Sequence, residues 1–139
     1  MKAKISWVEG GRFWAESGTG HSLPMQAKIL GDDISTAPSP MEYVLMGAGG
    51  CTCVDVVHIL KRGRHDVRDC VALLDAERAP EDPKIFTRIH IHFVVTGRNL
   101  KHEAVERAIE LSAEKYCSAS IMLGKTATIT HDFEVKEAE

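Results

Sequence analysis

The residues best suited to chemistry in this chain are thiols: Cys51, Cys53, Cys70 and Cys117. A deprotonated thiol is a nucleophile, a soft metal ligand and a reductant. Cys51 and Cys53 form a C-x-C, and helical positions two apart are turned by about 200°. Their sulfurs therefore point to opposite sides and cannot easily chelate one metal or bridge to each other. This argues against a zinc site, which wants four convergent ligands, and no metal or cofactor is expected. Cys70 and Cys53 read as small hydrophobes of the core. Periodicity leaves Cys51 open between that role and a reactive one. Cys117 lies at a break between two helical patterns, beside Ser118, a good N-cap. A helix N-terminus lowers a thiol pKa; simple packing under the junction is the competing account. Among the seven histidines, His90 and His92 share one face of a strand pattern and His131 lies on another. No carboxylate is patterned with them, so a solvated strand face is expected. The chain has no G-x-S-x-G, Walker loop or dinucleotide fingerprint.

Cys51 and Cys53 sit in the main helical pattern. Ser39 is a good N-cap, Pro40 suits the first helical position, and Glu42, three residues after Ser39, completes a capping box. Residues 43–60 are apolar nearly all round, Lys61 and Arg62 suit the negative end of the dipole, and Gly63 suits the stop. A helix that is apolar on every side must be covered on every side. Gly47, Ala48, Gly49 and Gly50 carry almost no side chain, which predicts close approach of another backbone.

The other elements frame this helix. Residues 2–8 alternate as a half-buried strand with Ala3, Ile5 and Trp7 on one face. Turns at Gly10-Gly11 and Gly18-Thr19-Gly20 lead to strands over 12–17 and 21–28, the latter made an edge by Pro24. Residues 30–38 read as a polar loop. Residues 66–78 form a strand with Cys70, Ala72, Leu74 and Ala76 on one face. Residues 85–96 form the cleanest strand, with Ile85, Ile89, Ile91, Phe93 and Val95 inward. Asn99 caps a helix running to about Tyr116, carrying Val105, Ala108, Ile109, Ser112 and Tyr116 on one side. Ser118 caps a short helix with Ile121 and Met122, and Gly124 stops it. Residues 126–135 form the last strand, with Ala127, Ile129, Phe133 and Val135 inward. The early hairpins make the class α+β, and residues 1–139 read as one domain.

Composition sets the setting. With 27% charged residues, 44% hydrophobic ones and a net charge of -3, the chain reads as an ordinary globular protein without a basic face for nucleic acid. The opening MKAKISWVEGG lacks an apolar leader, and the apolar run over 43–54 is too short to span a bilayer. A cytoplasmic protein with no membrane partner is the expectation, and structural disulfides are not expected there.

Two stretches resemble the OsmC/Ohr family. Ser39-Pro40-Met41-Glu42-Tyr43-Val44-Leu45-Met46-Gly47-Ala48-Gly49-Gly50-Cys51 is similar to its first-cysteine helix. Ser112-Ala113-Glu114-Lys115-Tyr116-Cys117-Ser118 is similar to its second-cysteine segment. The order of elements agrees over nearly the whole chain, and these motifs with Thr96-Gly97-Arg98 are closest to the YhfA-like branch. The resemblance implies antiparallel sheets wrapped around a central buried helix in an intertwined homodimer. It implies a thiol-dependent peroxidase for small organic hydroperoxides, with Cys51 oxidised to a sulfenic acid, Cys117 condensing with it, and a dithiol reductant resetting the pair. It also implies a thiolate-stabilising arginine and a glutamate that orients it. Arg12, in Gly10-Gly11-Arg12, resembles that arginine, and an exposed strand-end arginine is the competing account. The glutamate's place directly after Pro40 holds Met41. Glu42, one residue later, is the nearest carboxylate and already has a capping task. Without a partnered cation a thiol in apolar surroundings has a raised pKa. The alternative is therefore a weakly catalytic or non-catalytic dimer that binds an apolar ligand or senses redox state at Cys51.

Overall fold

Gly10 turns the first hairpin at φ +51°, a conformation glycine adopts without steric cost. It joins β1 (Ala3–Glu9) to β2 (Arg12–Ser17), and a second turn at Gly20 leads into β3 (Ser22–Gln26). The three strands pair antiparallel in the order β1-β2-β3. Pro24 falls on the edge strand, where a missing N–H is tolerated. The expected half-buried face of β1 is exposed within the chain, Ile5 by 55% and Trp7 by 70%. β1 is itself an edge strand, and an edge strand has a neighbour on one flank only. The computed structural model describes residues 1–29, 31 and 34–139; Leu30, Asp32 and Asp33 of the expected loop lie outside them. The chain falls into two compact units, Met1–Met46 and Gly47–Glu139, and the long helix α1 (Pro40–Arg62) contributes to both.

The start of α1 follows the sequence closely. The Ser39 N–H donates to Glu42 Oε1 at 3.0 Å and the Glu42 N–H donates to Ser39 Oγ at 3.2 Å, a complete capping box. The helix ends at Arg62, but the left-handed residue that follows is Arg64, at φ +62°, rather than Gly63. The His65 N–H then reaches back to the Leu60 carbonyl at 3.0 Å. By length and composition alone α1, Pro40–Arg62, is long and apolar enough to cross a bilayer. It nevertheless buries a stripe of Ala48, Gly49, Thr52, Val56 and Leu60, as a core helix does.

In the second unit β4 (Asp66–Arg78) and β5 (Phe86–Arg98) pair antiparallel, and β6 (Thr128–Glu137) joins β5 in parallel. The expectation of purely antiparallel sheets is thus corrected: this sheet is mixed. A parallel pair needs a crossover, supplied here by α2 (His102–Leu111), a π-helical turn (Ser112–Tyr116) and α3 (Ser118–Leu123). The core is the inner face of β5, where Ile89, Ile91, Phe93 and Val95 stand opposite Ala76, Leu74, Ala72 and Cys70 of β4. Ile85 falls outside β5 and is 42% exposed, while Phe86 is buried. A bulge at Glu77/Arg78 carries one extra residue and flips the alternation there.

Asn99 does not cap α2. It is left-handed at φ +53°, its N–H donates to Glu137, and the helix starts at His102 after an extended Lys101. Val105, Ala108, Ile109 and Ser112 are buried as expected, but Tyr116 is 49% exposed because the wider π-turn rotates it away. Cys117, not Ser118, is the N-cap of α3. Gly97 is required: a Cβ there would meet the Asp66 carbonyl oxygen at 2.3 Å.

Candidate functional site

Two positions along α1 separate two thiol pairs, as helical geometry demands. Cys51 turns toward Cys117, and their sulfurs lie with a carboxylate oxygen of Asp55 in a group whose members are all within 4.8 Å of one another. Cys53 turns the other way, toward Cys70 on β4. None of the four thiols is in a disulfide.

Asp55 follows Cys51 by four residues, the spacing that puts two side chains on one helix face. A second network fixes it. Ser112 Oγ donates to Asp55 Oδ2 at 2.9 Å and lies 2.9 Å from Thr52 Oγ1. Ser112 has one hydroxyl proton and gives it to the carboxylate, so Thr52 donates to Ser112. Thr52 and Ser112 are both buried, and both are satisfied by this chain.

The π-turn delivers Cys117. Its N–H bonds the Ser112 carbonyl five residues back, at 2.8 Å, and such wide turns occur often at functional sites. The Cys117 side chain is fully buried, and its sulfur accepts the Ser120 N–H at 3.4 Å. Burial pushes the Cys117 thiol up, the Ser120 contact opposes this, and the neighbouring Cys51 adds to the rise. The expectation of a lowered pKa at a helix start is therefore reversed: desolvation of the thiolate outweighs the local N–H.

The other two candidates lie in the first unit. Arg12 pairs with Glu9 at 3.3 Å on the exposed hairpin. Glu42 is exposed and engaged in the capping box, where the Ser39 N–H and hydroxyl hold its carboxyl below the usual range. Met41 is half-buried.

Cys53 and Cys70 are half-buried rather than core thiols. The neighbouring Cys70 thiol pulls Cys53 down to about 7, against burial and the charge of Asp69. Cys70 is pushed up by the neighbouring Cys53 and by burial. Cys53 also borders an open groove of about 630 Å³ with Val54, Val57, His58, Lys61 and Arg62. Among the described residues, backbone approach does not explain the glycines of α1. A Cβ on Gly49 would meet the Leu74 side chain at 2.7 Å, and one on Gly47 or Gly50 would meet open space.

The histidine face also differs from expectation, because β6 supplies acids. Asp132 Oδ1 lies 2.9 Å from His90 Nε2 and 2.8 Å from His92 Nδ1, and Glu134 lies 3.5 Å from His92. These bonds raise the His92 pKa, Asp132 most, and lower that of Asp132. Asp55, Ser112 and Thr52 are the site residues sequence reasoning missed. The i, i+4 relation of Cys51 to Asp55 was visible; the arrival of Ser112 depends on tertiary packing.

The fold and the cysteine-bearing helix define a class: this chain belongs to the OsmC family, whose model, described as OsmC-like protein, matches residues 31–132. It is 54% identical to Protein YhfA of Escherichia coli (strain K12) over 138 residues, which covers 99% of this chain and 100% of the relative. A crystal structure of a hypothetical protein from Aquifex aeolicus VF5 superposes with a TM-score of 0.87 at 30% identity, covering 99% of this chain and 97% of that one. The Organic Hydroperoxide Resistance Protein OhrB of Bacillus subtilis shares the fold at a TM-score of 0.65 and 16% identity, over 96% of this chain and 98% of that one.

Proposed function

We propose that the protein is a two-cysteine thiol peroxidase for small organic hydroperoxides, working as a cytoplasmic homodimer. The observation that carries this reading is the approach of Cys51 and Cys117, whose sulfurs lie within 4.8 Å of each other. A disulfide brings two sulfurs to about 2.05 Å, so a short side-chain movement joins them. Cys51 as thiolate attacks the distal peroxide oxygen. The O–O bond breaks, the alkoxide leaves and takes a proton as an alcohol, and Cys51 becomes a sulfenic acid. The Cys117 sulfur then attacks that of Cys51, its proton leaves with the hydroxyl as water, and the disulfide forms. A dithiol reductant restores both thiols by exchange and ends as its own disulfide. Asp55, beside both sulfurs, is placed to take and return the proton.

The homodimer reading is supported by one face of α1: Gly47, Gly50, Val54 and His58 follow helical spacing and are all exposed in the single chain. A second reading, a weakly catalytic dimer that binds an apolar ligand or senses redox state at Cys51, is favoured by the engagement of Arg12 with Glu9 and of Glu42 with Ser39.

The test is organic hydroperoxide consumption with a dithiol reductant. Cys51→Ser is expected to abolish it, and Cys117→Ala to let Cys51 oxidise once without forming the internal disulfide. Parent-like consumption by Cys51→Ser overturns the peroxidase reading; ligand-dependent thermal stabilisation without consumption supports the second.

A further inference from the structure

The group formed by Cys51, Asp55 and Cys117 has the composition of a metal site as well as of a redox centre. Two thiols and one carboxylate meet within 4.8 Å. A tetrahedral zinc, with bonds of about 2.0–2.3 Å, spaces its ligand atoms about 3.5–3.8 Å apart. That separation lies inside the observed limit. Cys51 and Asp55 stand at i, i+4 on α1, the spacing by which one helix face presents two ligands to zinc. Cys117 comes from a separate segment, so the three approach from two directions.

The surroundings complete the pattern. Metal-binding carboxylates are themselves hydrogen-bonded, which fixes their orientation. Here Ser112 donates to Asp55 Oδ2 and is in turn held by Thr52, both buried. Two sulfurs and one oxygen suit a borderline-soft divalent ion and not calcium or magnesium, which want oxygen alone.

We propose that Cys51, Asp55 and Cys117 bind one zinc-class divalent cation, with solvent as the fourth ligand. The ion binds thiolates, so two thiol protons pass to solvent on binding. Capping both sulfurs blocks attack on a peroxide and closure of the disulfide, so the ion reversibly guards the pair. The proposal does not depend on hydroperoxide turnover.

The experiment titrates the reduced, chelator-treated full-length protein with cobalt(II) without oxygen. Thiolate-to-cobalt charge transfer absorbs in the near ultraviolet, and tetrahedral cobalt adds visible bands. Surface histidines that bind cobalt give no sulfur band. One cobalt per chain is expected, with a sulfur band that zinc displaces. The band should lose intensity and affinity in Cys51→Ser, weaken in affinity in Asp55→Asn, and persist in a Cys53→Ser/Cys70→Ser double variant. Ser112→Ala should weaken binding by about 10–100-fold. Cys117→Ser places a hydroxyl at a fully buried position, so the decision rests on Cys51 and Asp55, which are half-buried, with circular dichroism reporting the fold. No sulfur band, a band unchanged in intensity and affinity in Cys51→Ser, or a band lost in the Cys53/Cys70 variant overturns the proposal. Hydroperoxide consumption is read separately on metal-free protein, so loss of one reading leaves the other standing.

Discussion

Four thiols of one chemical type have different properties here because each meets different neighbours. Cys117 is sealed from water, and burial holds its proton. The neighbouring Cys70 thiol lowers Cys53 to about 7. The sign follows: above that pH Cys53 is a thiolate while Cys70 keeps its proton. An ultraviolet thiolate titration of the reduced protein should show one step near that pH. The step should be missing in Cys53→Ser and displaced toward about 8.5, the free-thiol value, in Cys70→Ala. A step unchanged in Cys70→Ala would contradict the pairing. Cys53 and Cys70 influence each other's protons, so both thiol pairs must be followed in any oxidation experiment.

At the scale of elements, the capping box decides where α1 begins and so where its cysteines stand along it. Ser39→Ala removes the hydroxyl that accepts the Glu42 N–H and should cost about 1 kcal/mol in denaturant unfolding. Glu42→Gln can still accept the Ser39 N–H and should cost much less, since Gln serves at this position of the box. If Glu42 had only a charge-based role, the two glutamate variants Glu42→Gln and Glu42→Ala would be equally impaired, and unfolding midpoints separate the cases. The π-turn is the other deciding element. It places Ser112 and Cys117 together against α1, a placement set by its i→i+5 bond rather than the i→i+4 bond of an uninterrupted α-helix.

For the whole molecule, the uncovered face of α1 matters most. A Cβ added at Gly47 meets nothing within 4 Å among the described residues. Gly47→Ala should therefore stabilise a lone chain by about 0.5–1 kcal/mol through helix propensity. If a second copy packs on this face, the same change crowds the contact. Sedimentation should show a dimer for the parent, and Gly47→Leu should shift it toward monomer. A parent that sediments as a monomer, with Gly47→Ala simply stabilising, removes the homodimer from the functional reading.

Local rules were enough to determine the capping box, the C-x-C split across α1, the extent of β4 and the inner face of β5 from Ile89 onward. Each depends on a periodicity or a contact between residues a few positions apart, and those survive in any tertiary setting. The motif around Cys51 and the segment at Cys117 were also legible, and with them the family. Tertiary structure alone decided the rest. It paired Cys53 with Cys70, brought Ser112 to Asp55, and laid β6 parallel to β5 so that Asp132 serves two histidines. These contacts join residues far apart in the chain, and no local pattern encodes which distant side chain arrives. Burial then reversed the expected direction at Cys117, because the cost of desolvating a thiolate is set by everything packed around it and not by the neighbours in sequence.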